Sequence, residues 1–358
     1  MRNCCVSLHC GHRNSPRERV LAQFIVPTKI IPWMPSKLPR NQLLRNHYSI
    51  PETILQELVA PNSLSLGQLA SGGLSGARVW RCQSPHGPVA LRCWPAAHPS
   101  RERLGEIHAA MFAARQHGVP FVPCITMNRH GGSFTSDGKH LWEVTQWMPG
   151  AADYLAAPSS QRLQAALRAL ATLHRTWQDS PQPLTRTGLS PTAIERRQKL
   201  EHCLQQLHHW MRLPLVESPH RGLALQTMQH LAACGPQLLL QLASSRERPV
   251  PLHFVLRDVW SEHVLFSDDR VTGIIDFGAA RVDEPATDVA RLLGSLEPFD
   301  QRHWLVGWEA YRAVNPHVEI DRVRLLDRVG TLLSAVPWLQ WLVLQPRAFN
   351  APTNQLVE

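Results

Sequence analysis

No run of about 18 apolar residues occurs in the sequence, so no segment is long enough to span a bilayer as a helix. The start also lacks the continuous apolar core of a secretory signal. It is Arg-rich and acid-poor in the manner of a transit peptide, and a start misassigned upstream of Met34 would look the same. The eight cysteines among 358 residues lack the dense spacing of a disulfide framework, so reduced thiols in a cytoplasmic protein are expected. Only CCVSLHCGH, with His9 and His12, suggests a metal site; no second half with ligand spacing follows, and the stretch reads as tail sequence. No period of 20 to 50 residues repeats, which argues against a solenoid.

The formal net charge of +9 is concentrated at one end: residues 1–50 carry eight Lys/Arg against Glu18 alone, and the body is near neutral. A basic, Pro-containing arm of this kind reads as a solvated extension, so no nucleic-acid partner is expected. Beyond it the sequence reads as strands around glycines (LSLGQLASGGLSGARVWRC), the turn SPHGP and the strand VALRCW. A helix is expected over Arg101–His117, and EVTQWMPG at 143–150 reads as a strand with a Pro-Gly stop. Leu163, Leu167, Leu170, Leu173 and Trp177 recur at helical spacing and form a core face, and further helical blocks fill the rest of 179–250 and about 284–345. The division expected is a basic extension at 1–45, a β-rich N-lobe at 46–148 and a mainly helical C-lobe at 149–358, an α+β bilobal arrangement.

The chemistry is concentrated in VLRDVWSEHVLFSDDRVTGIIDFGAAR, residues 255–281. Phosphoryl transfer needs a group to accept the substrate hydroxyl's proton, metal ligands, and cations on the phosphates. Asp258 follows an apolar strand, and a short loop there exposes its carboxylate as a base. Asp276 follows the strand GII, where its carboxylate can hold a metal between phosphates. The 18 residues between them suffice for a loop, a strand, a turn and a return strand. GGLSG is not a Walker loop, because no Lys-Ser/Thr follows its last glycine.

On these residues the chain resembles the aminoglycoside phosphotransferase and choline kinase family, the small-molecule branch of the protein-kinase-like fold, over about residues 64–345. The resemblance implies ATP with Mg2+ or Mn2+ as cofactors and a small-molecule hydroxyl as acceptor; the lack of a long apolar run leaves no membrane partner expected. Leu256-Arg257-Asp258 stands where the family has His-Gly-Asp, and His263 stands where it has a metal-binding Asn. Asp288 matches the Asp that steadies the catalytic loop, and His174 matches a histidine packed beneath that loop. The resemblance assigns Gly73, Ser75 and Gly76 to the phosphate-covering loop and Arg92 to the phosphate-contacting Lys. Glu106 is then the natural helix partner of Arg92, with Glu102 also possible, and Gln146 and Trp147 are the centre of a hinge that contacts adenine through main-chain groups.

His263 divides two readings. As an imidazole ligand beside Asp276 it would favour manganese over magnesium; pointing away, it would leave a water in place of the Asn oxygen. An active kinase keeps both carboxylates for a reason, whereas a degenerate member would bind nucleotide or a partner without turnover. A protein kinase fits less well, since only GAARVDEPAT separates Phe277 from the Asp288 helix and no Ala-Pro-Glu follows. The insertion at 179–250, with eight Lys/Arg against five acids, would not favour a polycationic acceptor.

Overall fold

Ser84 and Gly87 close a hairpin whose two-residue tip is Pro85-His86, and Gly87 takes φ +114° at its exit. The hairpin joins β2 (Arg78–Ser84) to β3 (Gly87–Cys93). In β3 the period of two buries Val89, Leu91 and Cys93 and turns Arg92 to the other face. With β1 (Leu69–Gly72), β4 (Ile125–Thr126), β5 (Thr135–Ser136) and β6 (Leu141–Gln146), these strands form a six-stranded antiparallel sheet in the order β1-β2-β3-β6-β4, with β5 also on β6. The computed structural model describes residues 50–58, 69–72, 76–96, 98–180, 186–213, 220–246, 248–297 and 300–344. The extension at 1–45, its Cys/His stretch, Gly73 and Ser75 lie outside the described residues.

Helix α1 (Glu52–Leu58) packs Ile54 and Leu58 on the sheet face formed by Trp80, Leu91, Trp142 and Val144. Helix α2 (Arg101–Gln116) begins where the Ser100 hydroxyl accepts the Arg103 amide proton. After β6 the chain leaves the sheet at Pro149-Gly150. Gly150 has φ +97°, and a Cβ there would lie 2.6 Å from the Phe266 carbonyl oxygen, so only glycine allows Ala151 and Phe266 to exchange backbone hydrogen bonds of 2.9 and 2.8 Å.

The remainder is mainly helical. It comprises α3 (Ser160–Gln178), α4 (Pro191–Trp210), α5 (Arg221–Arg246), α6 (Ala286–Leu296), α7 (Gln301–Arg312) and α8 (Ile320–Leu339). The apolar face expected of 163–177 is the centre of the main core: Leu163, Leu167, Leu170, Leu173 and Trp177 are buried against Phe254, Val289 and Leu293. Each such side chain contributes about 1.5–3 kcal/mol by leaving water. A second core joins α4, α5 and α8 through Leu200, Leu231 and Val336. Two short antiparallel sheets carry the site: β8 (Val250–Val255) between β7 (Arg186–Gly188) and β11 (Arg281–Asp283), and the hairpin β9 (Val264–Ser267) with β10 (Arg270–Ile274). No helix among the described residues is long and apolar enough to cross a membrane.

Candidate active site

Strand β8 delivers Leu256-Arg257-Asp258 onto the buried carboxylate of Asp288 at the start of α6. Its two oxygens accept the amide protons of Leu256 and Arg257, each at 2.6 Å. His174 supports it from below: because a carboxylate only accepts, Nε2–H of His174 donates to Asp288 at 3.0 Å, and the Tyr311 hydroxyl lies 2.8 Å from Nδ1. Burial, with the charge of Asp288, pushes the Tyr311 phenol well above its ordinary value. The two amide bonds hold Arg257 at φ +66°, a left-handed conformation that costs a non-glycine residue about 1–2 kcal/mol. The Arg257 side chain is fastened as well, to Glu195 at 2.5 Å and Asp283 at 3.2 Å.

Asp258 emerges from this scaffold with its carboxylate near the surface, and Oδ1 lies 2.6 Å from a terminal nitrogen of Arg291 on α6. Its backbone carbonyl accepts from Nδ1–H of His263 at 2.7 Å. The other ring nitrogen, Nε2, accepts from the Trp260 indole N–H at 2.8 Å and lies 3.8 Å from Asp276 Oδ2. Indole only donates, so Nε2 is unprotonated, in line with burial lowering the affinity of this ring for a second proton. The expectation that His263 serves as a metal ligand does not fit this geometry, because both ring nitrogens already have partners.

Asp276 also stands at positive φ, +61°, and its Oδ1 accepts from Arg92 at 2.9 Å. Burial alone would raise its pKa, but the charge of Arg92 leads a set of interactions that holds it below the usual carboxylate value. The following Gly278 is required by packing, since a Cβ there would come within 2.8 Å of the Trp94 ring. Arg92 stacks on the same ring at 4.7 Å.

The partner of Arg92 differs from expectation. Glu106 bonds to Arg103 one turn away on its own helix at 2.7 Å, and Glu102 is fully exposed. The register of β3 on β6 instead sets Arg92 opposite Glu143, whose carboxylate is 3.6 Å from Arg92 Nε and 2.6 Å from Nε2 of buried His108. Burial works against ionisation of Glu143, but the His108 hydrogen bond and Arg92 together lower its pKa. The hinge assignment changes too. The Gln146 amide donates to the Cys124 carbonyl at 2.7 Å and the Trp147 amide to the Pro88 carbonyl at 3.1 Å, so neither amide proton is available to a base. Gly76 has φ +75° at the exit of the glycine loop.

Asp258, His263, Asp276 and Arg92 thus form one continuous chain of contacts, which Glu106, Gln146 and Trp147 do not join. Arg291, Glu143, His108 and Trp260 join it without having been foreseen; the strand pattern of EVTQW, facing VALRCW, was the one signal that pointed to Glu143. The donors suit a hard cation at the ionised Asp276 carboxylate, and they do not supply a second ligand through His263. No cluster of three or more His, Cys, Asp or Glu arranged for a metal occurs among the described residues.

Residues 67–326 match the model of the phosphotransferase enzyme family, and that span contains every residue of this chain of contacts. The chain belongs to the phosphotransferase enzyme family. The homoserine kinase of Methylobacterium sp. (strain 4-46) is 29% identical over 136 residues, which is 36% of this chain and 42% of that protein, so the match spans under half of the relative's length. The solved aminoglycoside phosphotransferase from Alicyclobacillus acidocaldarius subsp. acidocaldarius DSM 446 is similar in structure at TM-score 0.55 and 15% identity, covering 86% of this phosphotransferase-family chain and 90% of that one. An amicoumacin kinase solved with AMP-PNP, Ca2+ and Ami gives TM-score 0.55, 15% identity and coverage of 86% and 91%. These likenesses establish the bilobal, protein-kinase-like fold with a β-rich N-lobe and a mainly helical C-lobe.

Proposed function

We propose that the protein transfers the γ-phosphoryl group of ATP to a hydroxyl of a small molecule in the cytoplasm. Asp258 hydrogen-bonds the acceptor hydroxyl and takes its proton as the oxygen attacks phosphorus and the bond to the ADP oxygen breaks. Asp276 would hold the magnesium or manganese ion, which when bound neutralises charge between the β- and γ-phosphates. Arg92, anchored by Glu143, turns a planar fork toward the phosphates, and the backbone around Gly73, Ser75 and Gly76 covers them. The observation that carries this reading is the paired emergence of Asp258 and Asp276 from positive-φ turns, joined through His263.

A second reading, nucleotide binding without turnover, draws on one observation: both carboxylates already face arginines, Asp258 with Arg291 and Asp276 with Arg92. Calorimetric titration of ATP with magnesium tests the division of roles. Asp258→Asn should bind ATP within about twofold of wild type, because the base acts on the acceptor. Asp276→Asn should bind it at least about tenfold more weakly, since one lost charge-assisted contact of this kind is worth that much. The reverse pattern would overturn the assignments.

A further inference from the structure

We infer that His108 is a positioning residue for nucleotide binding: acting through Glu143, it holds Arg92 in place for the phosphates and ties that arginine to a helix seated in the C-lobe. This rests on the kinase reading and deepens it. Helix α2 is fastened to the C-lobe on either side of His108. Ile107, Met111 and Ala114 belong to the main core with Leu167, Leu170 and Trp177, and the Trp177 indole donates to the Ala110 carbonyl at 2.9 Å.

From this fixed helix the contacts run in one line across to the N-lobe sheet. His108 is 2% exposed, and because a carboxylate only accepts, its Nε2–H donates to Glu143 Oε2 at 2.6 Å. The other oxygen of Glu143 lies 3.6 Å from Arg92 Nε, and a terminal nitrogen of Arg92 donates to Asp276 at 2.9 Å. Burial works against the charge of Glu143, and the His108 hydrogen bond is the largest of the effects that overcome it. Without that bond the strand carboxylate loses much of what keeps it ionised, and Arg92 loses its anchor.

Packing does not account for a histidine at this place. Its Nδ1 is buried with no hydrogen-bond partner among the described residues, a cost that an apolar side chain beside Phe134, whose ring centre is 6.0 Å away, would avoid. Stability does not account for Glu143 either, since buried ionic groups are often matched or bettered by apolar residues of similar volume. Apolar residues cannot hold a guanidinium. Arg92, stacked on Trp94, is a long side chain with many rotamers, and fixing it before the nucleotide arrives removes that ordering cost from binding.

Calorimetry on the full chain with magnesium-ATP and with adenosine, beside urea unfolding, tests this. His108→Leu should bind ATP about tenfold or more weakly, the size lost when an outer partner of a binding group is removed, and adenosine within about twofold of wild type. His108→Gln, which still offers Glu143 an N–H, should recover most of the ATP affinity. The double variant His108→Leu/Glu143→Met should regain the urea midpoint that His108→Leu loses but not its ATP affinity, and it takes the place of the single variant if that fails to fold. In an Arg92→Gln background, His108→Leu should weaken ATP by less than about twofold further, because its effect runs through that arginine. ATP affinity unchanged in the leucine variants, an equal loss for adenosine, or full additivity with Arg92→Gln overturns the proposal. Wild type that binds no ATP would defeat the kinase reading and this inference together, whereas ATP binding indifferent to His108 defeats this inference alone.

Discussion

The indole nitrogen of Trp260 donates to Nε2 of His263 at 2.8 Å while Nδ1 of the same ring donates to the Asp258 carbonyl at 2.7 Å, which fixes the imidazole as a strut inside the catalytic loop. Trp260→Phe removes the donor and keeps most of the ring. The variant should lose about 1 kcal/mol in urea unfolding, the net worth of one hydrogen bond. It should also bind Mn2+ more tightly in the presence of ADP, read by the paramagnetic resonance of free Mn2+, because Nε2 would then have a lone pair to offer beside Asp276. Unchanged stability together with unchanged Mn2+ affinity would show that the strut has no role.

The anchoring of Arg92 by Glu143 predicts opposite outcomes for two glutamates. Glu143→Ala leaves His108 buried without its carboxylate and Arg92 with Asp276 alone, and should cost about 3–5 kcal/mol, the range for breaking a buried pair. Glu106→Ala, which removes an exposed pair within one helix, should cost under about 0.5 kcal/mol. Chemical denaturation of both variants decides between the strand anchor and the helix anchor.

His253 gives the fold an acid-sensitive point. Its ring is buried beneath the catalytic strand, packs 5.2 Å from His174, and donates from Nδ1 to the Phe254 carbonyl. Burial first, then the charge of His174, lowers its pKa from 6.5 to about 3. Above 6.5 the ring is neutral whether the chain is folded or not, and its contribution is fully present. As the pH falls from 6.5 toward 3, the unfolded chain takes up a proton that the folded one refuses, and stability is lost. Between pH 7 and pH 5 the loss should be about 2 kcal/mol from this group. His253→Asn should flatten that part of the profile in denaturation curves across pH 5–7; an equally steep profile would assign the acid sensitivity elsewhere.

Much of this was legible in the sequence for reasons of local physics. The strand–loop–strand spacing fixed where Asp258 and Asp276 could emerge, and β9 and β10 occupy the expected stretch. The face of Leu163, Leu167, Leu170 and Trp177 was visible because a helical period survives without its partners. What was not legible depends on tertiary register. Glu106 stood at the right place along a helix, yet its partner was decided by Arg103 on the same face, while the cross-strand pairing of β3 with β6 gave Arg92 to Glu143. The Gln146 and Trp147 amides looked open to a base until the carbonyls of Cys124, just before the strand at Ile125–Thr126, and of Pro88 took them up. Arg291 carries no local signal, because a charge on a helix shows its role only when the groups facing it are known.

The central claim, that Asp258 acts as base in phosphoryl transfer from ATP, is tested most directly by following γ-labelled phosphate into a panel of small hydroxyl compounds, acids and neutral alcohols alike, with wild type and Asp258→Asn side by side. The account predicts transfer to at least one acceptor by wild type and a fall of about 10²–10⁴-fold in Asp258→Asn, the range for loss of a positioned base. Absence of transfer to every acceptor, or equal rates in the two proteins, would contradict it.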